Sequence, residues 1–197
     1  MFGFRADGRL IRTLPNFFKV VPHIMKERSD ACNLIEVEVD CQPISDYIKR
    51  KRKQGFDIGF MSVIIAAYVR TVAETPCLNR FVVNKKIYAR NYISVSFVVL
   101  KPEEDEDNET VIKLFFKPTD TILEISDKIN KAIESNRKTV TKNATDKFVR
   151  FLFAVPFLLN FLVSFFKLLD RWGLLPRMVI DASPFHTSFF ISNMASL

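Results

Sequence analysis

The chain has 197 residues, 48% of them apolar, and a net charge of +7, enough length for one domain with its own core. Five glycines, with neither G-x-G-x-x-G nor G-x-x-x-x-G-K-S/T among them, exclude a glycine-rich nucleotide loop. Three cysteines, Cys32, Cys41 and Cys77, form no C-x-x-C pair; their odd number and wide spacing suit a reducing cytosol.

In chain order, residues 1–14 read as a basic, loosely held arm, and residues 15–197 as the domain proper. Arg5, Asp7, Arg9 and Arg12 interrupt the arm, so it has no signal-peptide apolar core. Pro15–Ser29 reads as a helix with Phe18, Val21 and Met25 inward and Phe17 as a further inward candidate, and His23 as a surface or half-buried residue. Asn33–Asp40 alternates Ile35, Val37 and Val39 with Leu34, Glu36 and Glu38, the pattern of a half-buried strand. Pro43–Gln54 reads as a helix opened by proline and followed by Gly55, with Ile44, Tyr47 and Ile48 as its apolar stripe. Its run Lys49-Arg50-Lys51-Arg52-Lys53 suits the negative end of a helix dipole. No nucleic-acid motif accompanies that charge, so no nucleic-acid partner is expected.

Ile58–Tyr88 organises the chain. Met61, Ile64, Ile65, Tyr68, Val69 and Val72 recur at the spacing of one helical face. Pro76 stops the helix. Arg80–Val83 reads as a strand, Asn84-Lys85-Lys86 as a turn, and Ile87-Tyr88 as the start of the return strand. Ile93, Val95, Phe97 and Val99 then alternate with Ser94 and Ser96, a strand with one core face and one small polar face. The acidic PEEDEDNET reads as a solvated loop; it lacks the glycine of a calcium loop, and no metal site is expected. Val111–Phe116 reads as a strand covered on both sides. Thr121–Arg137 reads as a helix with a Thr121-x-x-Glu124 capping box, a stripe of Ile122, Ile125, Ile129 and Ile133, and i,i+4 pairs Glu124–Lys128 and Asp127–Lys131.

The run AAYVRTVAETPCLNRFVVNKKIYARNYISVSFVV resembles the catalytic domain of 2-oxo acid dehydrogenase acyltransferases and their relative chloramphenicol acetyltransferase. Pro76, Leu78, Asn79, Phe81 and Tyr88–Val99 match that family's landmarks in order. NLIEVEVD is similar to its first strand, and Ser188-Phe189-Phe190-Ile191-Ser192-Asn193 to its T-F-T-I-S-N strand. The resemblance implies an α+β fold: a chloramphenicol acetyltransferase-like two-layer sandwich, with a mixed β-sheet covered by helices. It implies coenzyme A or acyl-coenzyme A as substrate and a homotrimer for the complete domain. It also places Ser192 where a hydroxyl stabilises the oxyanion of a tetrahedral intermediate.

The same family uses a histidine in H-x-x-x-D-G as general base. Neither His23 nor His186 is followed by that pattern. No Ser-His-Asp or Cys-His arrangement can be argued from two scattered histidines. The expectation is therefore a partial acyltransferase domain, incomplete at the C-terminus and inactive alone.

Phe148–Leu169 is apolar nearly all round and about as long as a bilayer is thick. Pro156, Asn160 and Lys167 weigh against insertion. The segment reads as a buried or subunit-interface helix, or as a contact for a membrane surface or protein partner. A non-catalytic interaction protein built on that contact is thus the rival to the acyltransferase. The expected location is cytoplasmic, with a peripheral membrane association under the rival reading.

Overall fold

The computed structural model describes residues 5–25, 27, 29–100, 109–138 and 156–192. The acidic loop 101–108 and the first part of the Phe-rich stretch, 148–155, lie outside the described residues. Among the described residues the architecture is α+β, with two three-stranded sheets and helices packed on them. The strands are β1 (Gly8–Leu10), β2 (Arg80–Val83), β3 (Lys86–Arg90), β4 (Ile93–Leu100), β5 (Glu109–Phe116) and β6 (Phe189–Ile191). The α-helices are α1 (Asn16–Ile24), α2 (Gln42–Lys53), α3 (Phe60–Glu74), α4 (Ile122–Lys138), α5 (Pro156–Trp172) and α6 (Arg177–Ala182). The expected mixed sheet is the one ordered β5–β4–β6; the hairpin β2–β3 belongs to a separate antiparallel sheet ordered β1–β3–β2.

The core forms where α3 and α4 lie on β4 and β5. Ile65, Val69 and Val72 of α3 meet Ile93, Val95 and Phe97 of β4, Ile112 and Phe116 of β5, and Ile125 and Ile129 of α4. Each such side chain, fully buried, contributes about 1.5–3 kcal/mol before chain entropy is set against it. The α3 face is turned slightly from the expected stripe. Ser62 is buried and Ile64 is exposed, because Ser62 Oγ meets Ser126 Oγ of α4 at 3.2 Å. Ser126 in turn donates to the Asp57 carbonyl at 2.6 Å, so the buried hydroxyls are satisfied.

Local signals account for most boundaries. Pro76 opens a short 3-10 turn directly after α3. Asn84 and Lys85 adopt φ of 48° and 60°, the left-handed pair of a tight hairpin turn. Gly55 follows α2 at φ 86°, a helix stop that costs glycine no Cβ strain. The capping box closes as read: Glu124 accepts from the Thr121 N–H at 2.7 Å, and its own N–H reaches Thr121 Oγ1 at 3.4 Å. Lys128 pairs with Asp120 at 2.5 Å in place of the expected Glu124.

The structure departs from the expectations at five places. The N-terminal arm is not loose over its described part: β1 pairs with β3 from Gly8↔Arg90 to Leu10↔Tyr88, and Arg5 and Asp7 are buried. Asn33–Asp40 forms no strand, and Leu34, Ile35, Val37 and Val39 are all exposed; alternation alone makes no strand without a sheet edge to pair with. Helix α1 ends at Ile24, and its expected inward residues Phe17, Phe18 and Met25 face water. The Ser94 and Ser96 face of β4, expected to be merely small and polar, is wholly buried. On β5, Val111 and Phe115 remain exposed, so that strand is not covered on both sides.

Candidate functional site

The site is built on the serine face of β4. Strand β6 runs parallel to β4, with Val95↔Phe189, Ser96↔Phe190 and Phe97↔Ile191 in register. Its entry is pinned to the start of β4. The Ser188 N–H donates to the Ser94 carbonyl at 3.0 Å, the Ser94 N–H donates to Ser188 Oγ at 3.1 Å, and Thr187 Oγ1 donates to the Ser94 carbonyl at 3.1 Å. Asn79 adds a tie from the 3-10 turn, donating from Nδ2 to the Tyr92 carbonyl at 2.9 Å. Beneath β6, Phe189 stacks on Tyr68 of α3 with ring centroids 4.3 Å apart.

Ser192 lies just past β6 and is exposed. Neither histidine joins it. His186 stands six positions earlier at the opposite end of β6, up to about 20 Å away at the rise of an extended strand, and His23 is exposed on α1. The resemblance points to Ser192 at the C-terminal end of β6, and the structure assembles its titratable groups at the other end.

Those groups come from five separate elements. Arg5 donates from Nε to Asp7 Oδ1 at 2.9 Å and from Nη2 to Asp170 Oδ1 at 2.5 Å; it also reaches the Asp170 carbonyl. Arg90 approaches Asp7 at 3.8 Å and lies over the Phe81 ring at 4.4 Å. His186 brings Nε2 to 3.4 Å from Asp170 Oδ1 and Nδ1 to 2.9 Å from Ser183 Oγ. Lys113 of β5 donates to the carbonyls of Ile180 at 2.8 Å and Ser183 at 3.1 Å, fixing the end of α6 to the sheet.

Burial sets the electrostatics here. It opposes ionisation of Asp170, but hydrogen bonds from His186 and Arg5 outweigh it and hold the carboxyl below its ordinary range. It also opposes the charge on Arg5, which hydrogen bonds to Asp7 and Asp170 overcome, raising its pKa. Burial lowers Arg90 and pushes Lys113 down to about 8, the latter against the attraction of Asp181. Tyr92, beside Arg90, is raised, chiefly by burial. Two polar atoms near this face, Ser96 Oγ and Asp181 Oδ1, are buried without a hydrogen-bond partner. A cavity of about 590 Å³ is lined by Arg90 and Tyr92 together with Val72, Pro76, Asn79 and Phe116.

Sequence reasoning missed Ser183, His186 and Asp170 as a group. The Ser-x-x-His spacing hints at a turn contact, but nothing local announces Asp170, and Arg5 reaches it from 165 positions away. Among the described residues no group of three His, Cys, Asp or Glu is placed to hold a metal.

No protein-family model matches the chain, and no curated protein matches it. Among solved structures it is similar to the cubic core of the pyruvate dehydrogenase multienzyme complex, at 16% identity over 64% of this chain and 55% of that one, with a TM-score of 0.41. It is similar also to the dihydrolipoamide acetyltransferase of Azotobacter vinelandii, at 16% identity, the same coverage and a TM-score of 0.42. The chain thus spans just over half the length of these structures, and at that identity and TM-score the overlap assigns no residue a role.

Proposed function

We propose that the chain is an acyltransferase-like domain of the 2-oxo acid dehydrogenase type, built to move an acyl group between coenzyme A and a thiol or other acceptor. The observation that carries the reading is the parallel pairing of β6 with β4. The resemblance requires the Ser188–Asn193 segment to lie beside the Tyr88–Val99 stretch, although about ninety residues separate them. The Asn79 bond to the Tyr92 carbonyl supports it further, since Leu78-Asn79 is one of the matched landmarks.

In this reading Ser192 is the hydroxyl that would face a developing oxyanion, at the exposed end of β6. A preorganised donor of that kind supplies several kcal/mol only where charge develops and water is excluded, so the exposed Ser192 would need a further wall. The homotrimer that the resemblance implies would provide one. The H-x-x-x-D-G histidine is not among these 197 residues, so the chain alone is expected to bind coenzyme A without turnover. The test pairs saturation binding of coenzyme A with a coupled assay using acetyl-coenzyme A and dihydrolipoamide. Turnover well above background removes the inactivity, and the lack of saturable binding at millimolar coenzyme A removes the acyltransferase reading.

A second reading rests on α5. Phe161, Val163, Phe165, Phe166 and Leu168 are all exposed along this helix, an apolar surface of the kind used for contacts. No helix among the described residues is long and apolar enough to cross a membrane, so the contact would be interfacial or with a protein. Sedimentation with anionic liposomes, lost on Phe161→Asp, would favour it; no sedimentation removes its membrane form.

A further inference from the structure

We propose that Ser183 is a nucleophile toward activated acyl esters, with His186 as its base and Asp170 orienting His186. This stands on the geometry of those three side chains and does not depend on the acyltransferase reading.

The roles of the two ring nitrogens follow from their neighbours. A carboxylate only accepts hydrogen bonds. Asp170 Oδ1, 3.4 Å from Nε2, therefore favours the proton on Nε2. That leaves Nδ1 as the acceptor for the Ser183 hydroxyl 2.9 Å away, the tautomer a general base needs. Asp170 is kept ionised and in place by Arg5, which bonds both its carboxylate and its carbonyl. As the imidazole takes a proton, the same carboxylate stabilises the imidazolium.

Serine and histidine are held by the scaffold on both sides. The Ser183 N–H donates to the Val179 carbonyl at 3.0 Å, and its own carbonyl accepts from Lys113 at 3.1 Å. Pro184 restricts it to extended backbone, and it sits at φ −75°, ψ 123°. The His186 carbonyl accepts from Arg90 at 3.4 Å, and the next two residues are bonded to Ser94. Lys113 and Arg90 thus fix the backbone of both residues.

The group is reachable. Ser183 and His186 are half-buried, and the intervening Phe185 is 86% exposed, so the turn that carries them lies at the surface. On the same sheet face as Lys113 lies its register partner Ser96, whose buried hydroxyl is without a partner.

In the reaction, Ser183 Oγ bonds to the acyl carbon as its proton passes to His186 Nδ1. The ester C–O or thioester C–S bond breaks, and the leaving alkoxide or thiolate takes that proton from His186. Water then attacks the acyl-serine as His186 accepts its proton; the bond between the acyl carbon and Oγ breaks, the carboxylic acid leaves, and the proton returns to Ser183 Oγ.

The test uses the 197-residue chain with a fluorophosphonate, which forms a phosphorus–oxygen bond to an activated serine and releases fluoride. Peptide mapping is expected to place the label on Ser183, and His186→Gln to slow labelling about 100-fold or more, the usual range for loss of a general base. Label spread over exposed serines without preference for Ser183 overturns the proposal. So does unchanged Ser183 labelling in H186Q. Ser183→Cys gives a second reading: beside His186 its thiol should react with iodoacetamide at neutral pH at least about tenfold faster than the exposed Cys32, Cys41 and Cys77 in the same molecule. An equal or slower rate overturns the proposal even if H186Q fails to fold.

Discussion

Arg5 Nε donates to Asp7 Oδ1 at 2.9 Å, and neither side chain keeps more than 3% of its surface in water. Arg90 is the other cation on that carboxylate, at 3.8 Å and 7% exposed. One buried anion therefore serves two buried guanidinium groups, and Phe81, stacked on Tyr88 at 5.6 Å, closes them off from above. Asp7→Asn leaves both cations short of charge at nearly unchanged volume. Removing one partner of a buried pair costs about 3–5 kcal/mol, so D7N should lower the unfolding free energy extrapolated from urea titration by that much. A loss under about 1 kcal/mol would mean that Asp170 alone suffices for Arg5.

Gly8 carries a second, steric prediction. A Cβ built there would lie 2.7 Å from Phe81 Cε1 and 2.8 Å from the Ala89 carbonyl oxygen. The phenyl ring is pinned by Arg90 and Tyr88, and the carbonyl is backbone, so neither yields cheaply. Gly8→Ala should destabilise by about 1–3 kcal/mol, the usual cost of overpacking, and should weaken the β1–β3 pairing first. Hydrogen exchange at Arg9 and Ile11 reads this directly, since the alternation of the antiparallel ladder turns those two amides toward β3, and the Ile11 N–H donates to the Ile87 carbonyl across that edge at 3.1 Å. Protection equal to wild type at both amides would contradict it.

These two residues also mark where the sequence stops being legible. Periodicity located α2, α3, α4 and the strands from Arg80 to Phe116, because each buries a face whose spacing is written locally. Arg5 and Asp7 looked like ordinary surface charges, since a short basic stretch gives no sign of a partner in distant sequence. The converse error fell on Leu34–Val39, whose alternation is real but finds no edge to pair with. For the site, a resemblance led to Ser192 and to the β4–β6 pairing. Asp170, Ser183 and His186 come together only because Arg5 and Lys113 tie α5 and α6 to the sheets, and contacts of that range leave no periodic trace.

Lys113 supplies a prediction in the alkaline direction. Burial lowers its pKa to about 8, against about 10.4 for an unfolded lysine. Below pH 8 both states carry the charge, and the folded state bears a constant penalty. Between those values the unfolded chain holds more protons, so stability rises with pH. Lys113→Met removes this dependence. The urea midpoint of the wild type relative to K113M should therefore improve from pH 7.5 to pH 9.5, and a flat or falling difference would rule out a depressed folded value.

Asp170 behaves in the opposite sense at low pH. Hydrogen bonds from His186 and Arg5 hold its folded pKa below the ordinary value despite burial, whereas the unfolded carboxyl titrates near 3.9. Its contribution is complete above that unfolded value. As pH falls through the interval between the two values, the unfolded chain takes up the proton first, and the contribution drains away. Asp170→Asn should thus be clearly destabilised at pH 6, with the gap to wild type narrowing as pH falls below about 4. Asp120 is lowered as well, but it is common to both proteins and cancels in the difference. The same variant leaves the Arg5–Asp7 pair intact, so the loss at pH 6 should be smaller than for D7N. A gap that stays constant from pH 6 to pH 2.5 would mean that the Asp170 charge is not what Arg5 and His186 hold in place.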